Sequence, residues 1–273
     1  SGALAKLVEE DPGLALTQDA EGRQILLSGQ GDGHVRLALE RLKRRFSVDI
    51  DTAAPRTLYR ETITKGTTQR GRHKKQTGGH GQFGDVTIEI KPLPRGSGFV
   101  FHSKITGGAV PKQWIPAVEQ GVQDGLAKGP LGFPVVDLEV TLRDGAYHSV
   151  DSSEMAFRTA GRMAIEEGLK GCGPVLLEPI EKLAIFTPST ATSNVTSTLS
   201  ARRGQILGFA PREGWSGWDQ IEAFLPQSER HDLIAEIRSL TQGLGTFEAG
   251  FDHLSELEGR LASEVAQSAR SAA

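Results

Sequence analysis

PIEKLAIF (179–186), PSTATSNVTSTLSARRG (188–204) and QILGFAP (205–211) follow one another almost without a break, and their apolar period changes twice. The outer two alternate apolar and polar residues as strands do. The middle one opens on Pro188 and closes on Gly204, residues suited to the start and the end of a helix. WDQIEAFLP (218–226) then sets Ile221, Ala223 and Leu225 on one face of a further strand. SERHDLIAEIRSLTQGLG (228–245) carries a helical stripe of Leu233, Ile234, Ile237 and Leu240 that ends in glycines, and TFEAGFDHL (246–254) supplies a last strand. The order is βαββαβ, which predicts an antiparallel sheet with both helices on one face.

Toward the N-terminus a similar order recurs, shortened at its start. ALAKLVEED (3–11) reads as a helix, GLALTQD (13–19) and RQILLSG (23–29) as a hairpin around Glu21-Gly22, GHVRLALERLKRRF (33–46) as an amphipathic helix, and SVDID (47–51) as a strand. That is αββαβ. The missing leading strand is expected upstream of Ser1, which makes the chain a fragment of a longer one with Ser1-Gly2 an added remnant.

A different unit lies between. It runs through strands TLYRETIT (57–64), DVTIEIK (85–91) and GFVFHSKI (98–105), a helix from Ile115 to Lys128 with Val118, Val122 and Leu126 four apart, and strand VVDLEVTLRDG (135–145). The loop AYHSV (146–150), a helix from Ser152 to Lys170 and a short strand PVLLE (174–178) complete it, with Asp151 and Glu154 at capping-box spacing ahead of the helix. The expected fold class is therefore α+β multidomain: a truncated ferredoxin-like domain over 1–52, an elongated α/β domain over 53–178, and a second ferredoxin-like split-βαβ domain over 179–273.

At 273 residues, 37% apolar and with net charge −3, the chain is neither disordered nor coated in positive charge for bulk nucleic-acid binding. No apolar run approaches the roughly 20 residues that cross a bilayer, and no signal peptide opens the chain, so a cytoplasmic protein with no membrane partner is expected. The single Cys172 forms no internal disulfide and reads as a small buried residue. Any contact with nucleic acid must be local. From Thr62 through Gly84 there are five cations, Lys65, Arg70, Arg72, Lys74 and Lys75, and no acidic residue.

That cationic run leads into QTGGHGQFG (76–84), four glycines in nine positions. A phosphate loop would need G-x-x-x-x-G-K-[ST] between a strand and a helix. Here no Lys-Ser or Lys-Thr stands in place and a strand follows, so the nucleotide-site reading fails and no hydrolytic site is visible. What remains is a hairpin tip, either an ordinary solvated loop or a contact with RNA in which glycine allows close approach. Lys74, Lys75, Arg70 and Arg72 on the stem would then face phosphates, with His80 and Gln82 facing riboses or base edges. His34, His73, His80 and His148 lack carboxylates or cysteines at ligand spacing, which argues against a metal enzyme. His148 precedes a helix start; Arg202 and Arg203 close a helix, where they complement its dipole or meet RNA. Trp215 and Trp218 read as packing onto the last sheet.

Taken together, LLSGQGDGHVRLALERLKRRFSVDI (26–50), YRETI (59–63), KQTGGHGQFGDV (75–86), GGAVPKQWIPAVEQGV (107–122), GPLGFPVVDLEVTLRDGAYHSVDSSEMAF (129–157), PVLLEPI (174–180), ARRGQI (201–206) and IRSLTQGLG (237–245) resemble, in order, the C-terminal half of bacterial elongation factor G, the ribosomal translocase. The resemblance implies its third, fourth and fifth domains, the fourth being ribosomal-protein-S5-like. It also implies an upstream GTPase domain that binds GTP and Mg, with no cofactor and no catalytic site in this chain. The implied role is translocation of tRNA and mRNA during elongation, the fourth-domain tip entering the small-subunit decoding centre. Carried over by position, Gln76, Thr77, Gly78, Gly79, His80, Gly81 and Gln82 form the first tip loop and His148 lies in the second. Implied partners are the ribosome, tRNA and mRNA, with large-subunit RNA and proteins facing the fifth domain, the protein being a monomer off the ribosome.

Three departures stand out. Gly33 replaces the usual leucine of G-E-L-H-L, Asn194, Ser197 and Thr198 replace acidic and glycine positions ahead of Arg202-Arg203, and His80 replaces a common arginine. They keep open a specialised paralogue acting in ribosome recycling or rescue, beside a GTPase-independent RNA-binding module.

Overall fold

Val86, Ile88 and Ile90 alternate along one strand and are fully buried, because the face they share is covered by helices carrying Val118, Val122, Phe157 and Ile165. The computed structural model describes residues 2–20, 22–76 and 81–271. It divides into two compact units, Ser1–Leu58 with Pro179–His253, and Tyr59–Glu178 with Leu254–Ala273.

In the second of these, β4 (Thr67–Lys75), β5 (Gln82–Pro92), β7 (Leu138–Ala146) and β6 (Phe99–Ser103) form a sheet in that order. The first two contacts are antiparallel and β6 runs parallel to β7. Helices α3 (Ile115–Leu126) and α4 (Glu154–Gly171) close the core. The spacing between layers is set by glycines at close approaches. A Cβ on Gly71 would sit 2.2 Å from the Ala160 carbonyl oxygen, one on Gly84 2.5 Å from that of Ala156, and one on Gly121 2.0 Å from that of Arg158. At these positions any side chain would meet helix backbone, which cannot move aside as a side-chain end can.

The short strand β3 (Arg60–Ile63) brings the buried Glu61 against the loop between α3 and β7. Its carboxylate accepts the Phe133 N–H at 2.7 Å, while its backbone N–H donates to the Pro134 carbonyl at 2.8 Å. Burial pushes this carboxyl above its usual range, and the N–H groups of Phe133, Leu131 and Gly132 pull it partly back.

In the other unit the βαββαβ order is realised as β8 (Pro174–Pro188), α5 (Thr192–Ala201), β9 (Gln205–Pro211), β10 (Trp218–Pro226), α6 (Leu233–Leu240) and β11 (Thr246–Leu257), with β8, β10 and β9 antiparallel and β11 on the far side of β8. Val195, Leu199, Leu233 and Ile237 of the helices pack on Leu183, Ile185, Ile221, Ala223 and Leu225 of the sheet. Trp218 opens β10 and meets Trp215 edge to face, while Arg212 lies 4.1 Å from the ring centroids of both Phe186 and Trp215. The N-terminal part supplies α1 (Gly2–Glu10), the hairpin of β1 (Ala15–Asp19) and β2 (Gln24–Ser28), and α2 (Asp32–Phe46).

Four sequence expectations need correction. SVDID forms no strand: Ser47 takes φ 52° to cap α2, Val48 and Ile50 stay exposed, and no described strand pairs with 47–51. A strand needs a neighbour for its N–H and C=O groups, whatever its side chains alternate. PVLLE and PIEKLAIF are one strand, β8, in which Pro179, lacking an N–H, falls between the stretch paired with β3 and the stretch paired with β10. The cap of α4 is Ser153, accepting the Ala156 N–H at 3.3 Å, and not Asp151. Finally, helix α7 (Gly259–Ser271) follows β11 where no helix is expected; its Arg270 donates to the Pro130 carbonyl, and Arg95 pairs with Glu256 just ahead of it.

Candidate nucleic-acid interface

The cationic run is the stem of the hairpin: from Arg70 to Lys75 it lies in β4. Along β4 and β5, Arg72 pairs with Asp85, His73 with Gly84, Lys74 with Phe83 and Lys75 with Gln82. This register brings an acid into the cationic run from the strand after it. Asp85 is buried at 2% exposure; Arg70 Nε donates to it at 2.8 Å and Arg72 Nε lies 3.6 Å away, with the Arg72 guanidinium over the Phe83 ring. The pairing holds the Arg70 guanidinium above its ordinary range. Arg70 and Arg72 therefore share one buried negative charge. Lys74 and Lys75, next to the turn, are exposed and make no ion pair among the described residues.

Gln76 is exposed. Thr77, Gly78, Gly79 and His80 lie outside the described residues. On the return strand a Cβ at Gly81 would stand 2.7 Å from the Asp151 carboxyl carbon, and Gln82 Oε1 is 2.9 Å from His73 Nε2. Gly84 is thus a glycine of close approach to helix backbone, while at Gly81 the neighbour is a side-chain end; the sequence reading reserves the close approach of these glycines for RNA.

Asp151 belongs to the second loop, between β7 and α4, and that loop is tied to β5. The Phe83 N–H donates to the Asp151 carbonyl at 2.8 Å, and the Ser152 hydroxyl donates to the Phe83 carbonyl at 2.8 Å. The same Ser152 oxygen accepts the His148 N–H at 2.9 Å. His148 Nδ1 accepts the N–H groups of Asp151 at 3.1 Å and Val150 at 3.3 Å, with a carboxylate oxygen of Asp151 at 3.4 Å. Its ring is 54% exposed, flanked by exposed Tyr147 and Val150. Gln76, Gly81, Gln82, Lys74, Lys75 and His148 are brought to one end of the sheet by these contacts.

Arg202 and Arg203 have another setting. Arg202 donates to the carbonyls of Glu229 and His231 at 2.8 and 2.7 Å and pairs with Glu236 at 2.8 Å; Arg203 pairs with Glu229 at 3.0 Å and reaches Ser228. They fasten the end of α5 to the segment entering α6. The residues missed by sequence reasoning are Asp85, whose position one past Gly84 hides its role until the register is known, and Ser152, whose role depends on a contact with a distant strand.

Among the described residues no group of His, Cys, Asp and Glu is placed to hold a metal, and no helix is long and apolar enough to cross a membrane. Cys172 is buried, and burial pushes its thiol up, away from nucleophilic use.

Comparison with known proteins gives one family along the whole chain. Models described as Elongation Factor G, domain III, Elongation factor G, domain IV and Elongation factor G C-terminus match residues 1–54, 55–173 and 175–265. A protein described as "Elongation factor G-like protein", from Synechocystis sp., is 54% identical over 262 residues, which is 96% of this chain and 39% of that protein. A crystal structure from Thermus thermophilus matches with a TM-score of 0.90 at 38% identity, covering 99% of this chain and 40% of the other. The chain spans about two fifths of the length of these relatives.

Proposed function

Since the chain belongs to the elongation factor G family of translation factors, carrying its third, fourth and C-terminal domains, we propose that it is the ribosome-engaging part of a translocase-type GTPase. In this reading the fourth-domain tip enters the decoding centre behind the moving tRNA and promotes translocation by occupying space, with no bond made or broken by this chain. GTP and Mg are bound by a domain upstream of it.

The observation that carries the reading is that end of the sheet: the loop between β7 and α4 is fastened to the start of β5 through Phe83, Asp151 and Ser152, with exposed lysines and an exposed imidazole at the same end. A cationic end with donors and glycine-permitted close approach suits an RNA partner. In the full-length protein, Gln76→Ala with His148→Ala is expected to abolish single-turnover translocation while ribosome-stimulated GTP hydrolysis continues. Normal translocation by that double variant would overturn the role of the tip.

The departures at Asn194, Ser197 and Thr198, with 54% identity to a protein described only as elongation factor G-like, favour a second reading, a specialised paralogue in recycling or rescue. Measuring subunit splitting beside translocation separates the two.

A further inference from the structure

We propose that Ser152 is the positioning residue of the tip: its hydroxyl clasps the second loop to β5 and so fixes His148 as a hydrogen-bond donor, through Nε2, to an acceptor atom on RNA. The clasp stands on geometry alone; only the use made of the donor rests on the translocation reading.

The direction of each bond follows from what its groups can do. The Phe83 carbonyl cannot donate, so the one hydroxyl proton of Ser152 points to it, across 2.8 Å. The oxygen's lone pairs are left for the His148 N–H, which can only donate, at 2.9 Å. The hydroxyl thus adds a second tie between strand and loop, beside the Phe83 N–H to Asp151 carbonyl bond, and neither of its own bonds can reverse. At the ring the same logic applies. Two backbone N–H groups, of Asp151 at 3.1 Å and Val150 at 3.3 Å, aim at Nδ1. A proton on Nδ1 would set N–H against N–H. The competing partner for such a proton, the Asp151 carboxylate at 3.4 Å, is beyond good hydrogen-bond distance. The neutral imidazole therefore carries its proton on Nε2, the nitrogen with no partner among the described residues. On an exposed ring at the same end of the sheet as the two lysines, an Nε2–H is a donor waiting for an acceptor. Phosphate oxygens, ribose hydroxyls and base acceptors all qualify.

Without the Ser152 hydroxyl, the His148 N–H and the Phe83 carbonyl lose their common partner; the Phe83 N–H to Asp151 carbonyl and Ser152 N–H to His148 carbonyl bonds remain, but the ring is held less strictly against the Asp151 and Val150 N–H groups that keep Nδ1 an acceptor. Alanine removes the hydroxyl and threonine keeps it. By nitrogen NMR of this chain, the neutral form of His148 is expected to show a protonated Nε2 and an unprotonated Nδ1, in the parent and in Ser152→Thr, and a mixture of tautomers in Ser152→Ala. In the full-length protein, Ser152→Ala is expected to slow single-turnover translocation about tenfold, the scale of one hydrogen bond lost in the productive arrangement, with Ser152→Thr restoring the rate. His148→Gln, whose amide nitrogen falls near the place of Nε2, is expected to retain more activity than His148→Asn, whose amide falls near Nδ1.

A proton found on Nδ1, or a Ser152→Ala protein as fast as the parent when His148→Ala is slow, would overturn the proposal. If His148→Ala is itself fast, the translocation reading of the tip falls, and the tautomer measurement alone decides the clasp.

Discussion

Lys74-Lys75 and Arg202-Arg203 look alike in the sequence, each a pair of neighbouring cations beside a glycine turn, and the fold treats them in opposite ways. The arginines end a helix, where carbonyls of 229 and 231 and the carboxylates of Glu229 and Glu236 converge on them. The lysines end a strand in which the acid that the register brings across, Asp85, is already held by Arg70 and approached by Arg72. A run of positive charge records how many cations are present. Which of them can meet an external phosphate depends on the acids and carbonyls that the fold brings to each one, and here that leaves the lysines available.

This contrast can be attacked from three sides. The largest effect is expected from Gly84→Val, which tests whether the hairpin's glycines are contacts: added methyl groups would press on the backbone of α4, costing about 3 kcal/mol and lowering the urea midpoint with little change in slope. A variant as stable as the parent would show instead that Gly84 serves only mobility. Next comes Arg202→Ala. It leaves two carbonyls without their donor and Glu236 without its partner, an expected loss of about 1–2 kcal/mol in the same measurement. Smallest in stability is Lys74→Ala with Lys75→Ala, expected to stay within about 0.5 kcal/mol of the parent. Its signature lies in binding, where the slope of log affinity for single-stranded RNA against log salt should shrink by roughly 1–2. If the lysine pair proves costly to stability while Arg202→Ala does not, the contrast is the wrong way round.

Much of the architecture is legible in the sequence. β10 spans the same Trp218–Pro226 stretch that alternation marks, and the core of the last domain takes in Ile221, Ala223, Leu225, Leu233 and Ile237 with Leu240 packed against it, Ile234 alone of the marked positions lying outside, because a sheet covered on one face imprints a period of two on its strands. Reading fails where pairing matters more than pattern. Val48 and Ile50 alternate as in a strand yet have no described neighbour, and Pro179 looks like a boundary yet sits at a change of partner. Helix α7 carries Leu261, Val265 and Ala269 four apart, a helical spacing the sequence reading leaves unused, though none of its residues is buried. At the tip, His148 is visible as a histidine ahead of a helix; the polarity of its bonds, set by Ser152 and by backbone groups around it, is not. Asp85 stands in plain view and goes unread, since its meaning depends on the register with Arg72.

At Gly71, Gly84 and Gly121 one backbone lies directly against another, with no side chain between them at those points, while side chains fill the rest of the space between α4, its sheet and α3. Bending the hairpin at those points would mean prying main chain from main chain. A load applied at its outer end is then carried along the shaft with little give, so the residues commonly taken as hinges work here as rivets.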